Sequence, residues 1–573
     1  MLSESLEKRV WQTSPIYPEL EKSLTNELGI SQIFARVLIS RGFKDAQSIE
    51  KHLHPKLENF HNPALLPDCE IAIRELMLAK EQNEKIFIHG DYDVDGVTSA
   101  TIWSRSLSRL GFNVETHVPH RMKEGYGIHD SAVRKAKDSG AKLFLTCDCG
   151  SSAVENVALA KELGMRVVIT DHHQLPVGLP EAHAIVNPSR KDSKYPFPHL
   201  SGAGVAFKVA QAVSEECGVD ALKFQRGFLD LACLGTIADV VPLLDENRLL
   251  VSFGLKLLPK TQKIGLQALL EVASIENNKP ITAFDVGWKI GPRINAAGRI
   301  DDSSIALQLL LTNDESEARK LANILNDLNA QRKTEQERVF EHAEELIFEN
   351  QLDSHPLLLV YSAGWHEGVI GIVAGKLAEK YYKPTLVATL LEETGKAKGS
   401  ARSIPGINLY ELLFANEHLF LSYGGHERAA GFSLEIDKLE EAHETLLEWT
   451  KTEIHSDIFI PKLYADAVCS ARELNEKSLM EMLQLEPFGE GNPAPMLIIE
   501  GGTLSNVRTM GENEKHVRIT LSESPSTKVV GFNLASAFTR MEPGQEVELL
   551  VSLKRNDWNG KTSVDCVIED FRV

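Results

Sequence analysis

Positive charge is in short supply in this chain. Its 61 Lys and Arg stand against 81 Asp and Glu, a formal net charge of −20 over 573 residues. That balance argues against loose, whole-surface attachment to nucleic acid, although a confined basic groove can still bind inside an acidic molecule. Cysteine is sparse as well: seven residues, at 69, 147, 149, 217, 233, 469 and 566, scattered and without a CxxC pair. Such usage suits reduced thiols in a cytoplasmic protein, and Cys147 and Cys149 flank an Asp rather than forming a zinc pair. No stretch approaches ~18 continuous apolar residues, and Met1-Leu2-Ser3-Glu4-Ser5-Leu6-Glu7-Lys8 has no apolar h-region. Neither a membrane span nor export is expected. Internal repeats and low-complexity tracts are also missing. What remains, 43% hydrophobic and 25% charged residues, is ordinary globular composition, long enough for three or four domains with cores of their own.

One stretch concentrates chemistry. In Ile86-Phe87-Ile88-His89-Gly90-Asp91-Tyr92-Asp93-Val94-Asp95-Gly96, an apolar strand runs into a turn carrying three carboxylates and an imidazole. Three Asp at alternate positions repel one another unless a cation or basic partner offsets them. Hard divalent cations favour such oxygens, and His adds a borderline ligand of the kind Mn²⁺ accepts. Asp-rich turns are also common as solvated loops. An EF-hand loop starts the same way, but position 12 here is Ile102 rather than Glu, so the Ca²⁺ reading is weak.

From Lys85 short β-rich runs alternate with amphipathic helical patterns: strands at 85–89, 113–118, 142–147, 166–170 and 184–187, helices at 97–110, 129–139 and 153–164. This is the pattern of a parallel α/β sheet, whose ligands sit beyond the carboxyl ends of the strands. Three predicted strand ends deliver acid or imidazole to that edge: His89, Asp91, Asp93 and Asp95; Asp148 in Cys147-Asp148-Cys149; and Asp171-His172-His173. A lone Asp after a strand is usually a helix cap, but this recurrence points to a site. Asp239 follows a very apolar helix and alone would read as a helix terminus.

Together these residues resemble the four motifs of the DHH phosphoesterase superfamily, named for Asp-His-His, and within it the RecJ-type single-strand-specific 5′→3′ DNA exonucleases. His120-Arg121-Met122-Lys123-Glu124-Gly125-Tyr126-Gly127, Leu200-Ser201-Gly202-Ala203-Gly204 and Gly291-Pro292-Arg293-Ile294-Asn295-Ala296-Ala297-Gly298-Arg299 resemble core segments of that branch. Gly399-Ser400-Ala401-Arg402 and Gly424-Gly425-His426 resemble its DHHA1 domain. The resemblance implies two divalent ions, Mn²⁺ or Mg²⁺. His89, Asp93 and Asp148 would hold one; Asp95, Asp148, His172 and Asp239 would hold the other, with Asp148 bridging. Asp91 replaces or assists His89. His173 either contacts the scissile phosphate or orients His172. Arg121 and Tyr126 are carried over as substrate contacts, and Ser400 and Arg402 as holders of the 5′-terminal phosphate.

The resulting expectation is an N-terminal helical lead-in (1–60) packed on a DHH domain (61–312), then a connector helix (313–352), a second α/β DHHA1 domain (353–455) and an OB-like barrel (456–573). Arg293, Asn295 and Arg299 can grip phosphates where glycines allow close approach, with a helical cap carrying surface arginines as the alternative. Residues 315–350 contain neither Gly nor Pro and would span roughly 50 Å as one helix. Ser400, Arg402, His426 and Arg428 sit among glycines, Gly424 and Gly425 included, as an anion cradle requires. Alternating strands after 460 and the hairpin signal Asn559-Gly560 suggest the barrel, tracking single strands through Arg508, Lys515, Arg518, Lys528, Lys554 and Arg555.

The expected activity is metal-dependent release of 5′-mononucleotides from single-stranded DNA in recombination and repair. The expected enzyme is a cytoplasmic monomer working beside a helicase and a single-strand-binding protein. Hydrolysis of small nucleotides or short oligoribonucleotides is the alternative within the superfamily. A non-catalytic single-strand binder is a third class, disfavoured because every proposed ligand is present.

Overall fold

The computed structural model describes residues 9–121, 124–125, 127–276, 279–558 and 561–573. A short strand β1 (Val10–Thr13) and helices Pro18–Leu28, Gln32–Ser40 and Ala46–Leu53 come first. These do not lean mainly on the sheet that follows. β1 pairs in parallel with Lys462–Ala465, and Ile33, Phe34, Val37 and Leu38 share one core with Leu497, Ile519 and Val551 near the C-terminus. The reason lies in Gln32–Ser40, which buries five of its nine residues and needs an apolar partner of matching extent.

Strands β2 (Lys85–Gly90), β3 (Asn113–His117), β4 (Leu143–Cys147), β5 (Arg166–Thr170) and β6 (Ala184–Val186) form an all-parallel sheet in the order β3-β2-β4-β5-β6. Helices Val94–Arg109, Asp130–Asp138 and Val154–Glu162 make the crossovers. The sheet is covered on both faces, Ile86 and Ile88 entering one core and Phe87 and Phe144 the other. Because the chain runs from β2 out to β3 and returns to β4 on the other side, strand order reverses between β2 and β4. Such a switch point opens a crevice at the carboxyl edge. The acidic turns after β2 and β4 lie there.

A helical cap, including Gly202–Glu216, Ala221–Ala238 and Gly291–Ile300, leads into one helix of 35 residues, Glu315–Glu349. Its first half enters the core of the sheet lobe through Ala318, Leu321, Ala322, Leu325 and Leu328. Its second half enters the next lobe through Val339, Ala343 and Ile347, so it is anchored at both ends. The second sheet holds β7 (Leu358–Ala363), β8 (Thr385–Leu391), β9 (Lys396–Arg402), β10 (Ser422–His426) and β11 (Ala429–Glu435) in the order β10-β11-β9-β8-β7. Only β7 and β8 are parallel, and residues 422–435 form the β10–β11 hairpin.

After β12 (Lys462–Ala465) and β13 (Ala467–Ser470), strands β14 (Met496–Met510), β15 (His516–Leu521), β16 (Ser524–Gly531), β17 (Glu546–Trp558) and β18 (Lys561–Arg572) close into a five-stranded barrel, β14-β15-β16-β18-β17 and back to β14. The parallel β16–β18 pair gives it OB topology. Asn559 and Gly560, expected as the hairpin turn between β17 and β18, lie outside the described residues. Arg248 ties the cap to this end of the chain: its guanidinium donates to the carbonyls of His52, Gln484, Leu485 and Glu486 at 2.8–3.1 Å. Among the described residues no helix is long and apolar enough to cross a membrane.

Candidate metal centre and the pocket beside it

The first turn of the Val94–Arg109 helix orients the first two acids. Asp93 caps it, one carboxylate oxygen accepting the Gly96 N–H at 3.0 Å. Asp95 lies inside that turn and accepts the N–H groups of Gly202 at 2.6 Å and Ala203 at 2.9 Å. These belong to the first turn of a second helix, whose positive end favours the carboxylate. Asp148 follows β4 with φ 62°, a left-handed conformation that Asp tolerates better than most residues. Asp239 closes the Ala221–Ala238 helix, and Asp91 is in the turn after β2.

His172 draws them together. Its Nε2 is 3.1 Å from Asp148 Oδ1, 3.5 Å from Asp239 Oδ2 and 3.9 Å from Asp95 Oδ2. Three groups have ligand atoms mutually close enough for one ion: Asp91, Asp93 and Asp148; Asp95, His172 and Asp239; and Asp148, His172 and His173. Asp148 therefore joins the first group to His172. Asp91 Oδ1, Asp148 Oδ1, His172 Nε2 and Asp239 Oδ2 are all buried without a hydrogen-bond partner among the described residues. Four orphaned polar atoms facing one space are expensive unless something positive binds there. Burial first, then the neighbouring carboxylates, pushes Asp95 up to about 7 and Asp239 to about 9, and raises Asp91 and Asp148 well above the usual range. Oxygen and imidazole donors in this arrangement fit Mn²⁺ or Mg²⁺.

Two glycines make the crowding possible. A Cβ on Gly202 would stand 2.4 Å from Asp148 Oδ1, and one on Gly235 would stand 2.3 Å from Asp95 Oδ1. Asp171, absent from the expected ligands, organises the site instead. Its Oδ1 accepts the N–H groups of His172 and His173 and meets His173 Nδ1 at 2.8 Å; its Oδ2 accepts the Ser151 N–H. Burial pulls His173 down, yet the Asp171 contact overrides it and lifts the ring to about 9, while burial followed by the His173 charge brings His172 to about 4. The motif's own first letter was the signal for Asp171.

His89 stands outside all three groups. Strand periodicity puts it on the Phe87 face of β2, where it is fully buried, 3.3 Å from His117 Nδ1 and 3.1 Å from the Gly127 carbonyl. Asp91 sits in the place expected for it. Arg293 is likewise committed to the fold: its guanidinium donates to the Lys289 carbonyl, the Val272 carbonyl and Asn326 Oδ1 at 2.6–3.1 Å. In this structure Arg293 braces the cap rather than lining the cavity. Asn295 turns its Oδ1 to the Val94 N–H at 3.2 Å, holding the acidic turn.

Next to the acids is a cavity of about 220 Å³ lined by Tyr92, Arg121, Arg299, Gly368, Gly371, Ser400 and Arg402, together with the Lys398–Glu367 ion pair at 2.6 Å. Tyr92 lies between Asp91 and Asp93 in the chain, and Arg121 covers its ring at 5.0 Å. Burial, with Arg121, Arg332 and Arg402 adding repulsion, brings Arg299 down to about 9. Burial and then Arg121 lower Arg402. Mutually repelling, half-buried arginines call for an anion as the acids call for a cation. Arg332, from the middle of the long helix, was not anticipated; a lone Arg on a polar helix gives no sequence signal. Gly424, Gly425, His426 and Arg428 are exposed on the β10–β11 hairpin and do not line this cavity. Tyr126 lies outside the described residues. On the barrel, Arg555 is paired with Glu486 and Asp557.

Comparison with known proteins agrees with this architecture. The DHH family N-terminal domain matches residues 85–236, the DHHA1 domain 355–452 and the RecJ OB domain 465–570. The single-stranded-DNA-specific exonuclease RecJ of Bacillus subtilis is 38% identical over 99% of this chain and 71% of its own length. The Haemophilus influenzae enzyme of that name is 34% identical over 91% of this chain and 93% of its own. The crystal structure of RecJ in complex with Mn²⁺ from Thermus thermophilus superposes with TM-score 0.84 at 29% identity, covering 99% of this chain and 80% of that one. With three domain matches in order and this identity along nearly the whole length, the chain belongs to the RecJ family.

Proposed function

We propose that the chain is a divalent-metal-dependent exonuclease specific for single-stranded DNA, acting from the 5′ end and releasing 5′-mononucleotides. The observation that carries this reading is the adjacency of an acid and histidine cluster with orphaned ligand atoms and a cavity of mutually repelling arginines, with Tyr92 between them. Asp91, Asp93 and Asp148 would hold one ion, and Asp95, His172 and Asp239 the second, with Asp148 shared; the Mn²⁺ and Mg²⁺ complexes of the Thermus relative support those metals. Bound there, such ions lower the pKa of a water and offset charge on the attacked phosphate.

The chain's own groups do the rest. Asp171 fixes the His173 ring, whose side chain is 41% exposed beside Asp148, so its positive charge faces an incoming phosphodiester. Arg121, Arg299, Ser400 and Arg402 would hold the terminal 5′-phosphate. An end held this close to the acids sets the cut one nucleotide in, which accounts for both exonucleolysis and polarity. The barrel supplies a surface for the following strand, as OB folds do. A cytoplasmic monomer acting in recombination and repair, with a helicase opening duplex and a single-strand-binding protein nearby, completes the reading.

The test is digestion of 5′-phosphorylated single strand, duplex and pyrophosphate with Mn²⁺, Mg²⁺ or chelator, comparing wild type with Asp148→Ala. Single strand alone should be degraded, with activity abolished by chelator and reduced at least about 10³-fold in the variant. Duplex cleaved at a similar rate, or activity surviving Asp148→Ala, would rule the mechanism out. Preference for pyrophosphate would support a small-substrate phosphatase instead.

A further inference from the structure

Phe284 and Trp288 are 62% and 69% exposed, and their rings stack with centroids 5.8 Å apart at 27°. The burying on this segment is done by Val286 and Ile290, so the aromatic pair is surplus to the core. Two large apolar faces side by side in water are a feature of binding surfaces.

Their position gives the pair a substrate. They open a run of helix, Ala283–Asp285, a π turn Val286–Ile290 and then Gly291–Ile300, that passes along the whole candidate site. Spacings of four, seven and four residues place Phe284, Trp288, Asn295 and Arg299 on one helical face. The run meets three landmarks in order. At Arg299 it lines the arginine cavity. At Asn295 it holds the Val94 N–H of the acidic turn. At Gly291 a Cβ would stand 3.9 Å from Ala238, the residue before Asp239. Trp288 comes three residues farther along the same run. Lys279, just before this run, is close enough to Asp557 on β17 for its charge to act there, so this corner of the cap faces the barrel.

We propose that Phe284 and Trp288 form a stacking platform for the bases on the 3′ side of the scissile phosphate. The assignment rests on the single-strand exonuclease reading above. With the 5′ end in the cavity at Arg299 and the cut at the acids, the strand continues along the helix past Asp239 and meets the exposed rings on its way to the barrel. Aromatic stacking accepts every base, as a sequence-tolerant exonuclease requires.

KM is measured with Mn²⁺ for a 5′-phosphorylated oligonucleotide, intact or with abasic residues at its second to fifth positions. In the wild type, loss of those bases raises KM roughly tenfold, the weight of about one stacked base. In the double variant Phe284→Ala/Trp288→Ala, KM on the intact strand rises by a similar factor, and abasic residues add no more than about twofold. Trp288→Phe, which keeps a ring, restores sensitivity to the abasic residues. If base removal raises KM equally in wild type and double variant, or if the double variant binds the intact strand as the wild type does, the pair does not stack on DNA and belongs to a protein contact. A wild type that cleaves no single strand is a different result: it defeats the functional reading itself, and the platform with it.

Discussion

Gly202 and Gly235 show how little room the centre leaves. Each stands where any side chain would enter a carboxylate, Asp148 in one case and Asp95 in the other. Gly202→Ala or Gly235→Ala should therefore weaken Mn²⁺ binding roughly 10–100-fold, by displacing a ligand rather than removing one; isothermal titration checks it, and unchanged affinity would contradict the packing. Asp91, Asp93, Asp95, Asp148 and His172 stood out in the sequence because acid and imidazole recur at strand ends, whereas Asp239, after a helix, stood out only through the family resemblance. The choice between His89 and Asp91 was not, since it depends on which face of β2 a residue meets and on whether His117 and Gly127 take up the ring. Arg293 misled for a related reason: a sequence shows the charge but not the carbonyls of Lys289 and Val272 waiting for it.

At the scale of elements, alternation and length were enough to place the parallel strands, the 35-residue helix and the barrel strands close to where they lie. Long-range partners were not legible. Nothing local says that Gln32–Ser40 packs some 430 residues away in sequence, on the barrel, where Arg36 Nη1 reaches the Val468 carbonyl. That junction carries a pH dependence. Burial, then Arg248 and Arg41, lowers His52 to about 3. Its folded value lies below its ordinary 6.5, so the neutral ring is the one that fits, and the stability it contributes is present above pH 6.5 and lost as pH falls toward 3. Thermal melts should decline more steeply from pH 6.5 to 4.5 in wild type than in His52→Gln. Equal slopes would mean that His52 is not part of the acid sensitivity.

For the whole molecule, the long helix joins two sheet lobes while Arg248 and the N-terminal helices tie the barrel back to the first. The arrangement puts Arg402 of the second lobe in one cavity with Arg121, Arg299 and Tyr92 of the first, the tyrosine lying between Asp91 and Asp93 in the chain. Within the first lobe, residues from Asp91 to Asp239, separated by three sheet crossovers and part of a helical cap, meet at one crevice. The proposed role of that convergence is to hold cations. Equilibrium dialysis of the full chain with Mn²⁺, read by electron paramagnetic resonance, tests it most directly. Two ions per chain in the wild type and fewer than one in Asp148→Asn are predicted, because the proposed centre shares Asp148 between them. No bound Mn²⁺ in the wild type, or two ions retained by Asp148→Asn, would contradict it.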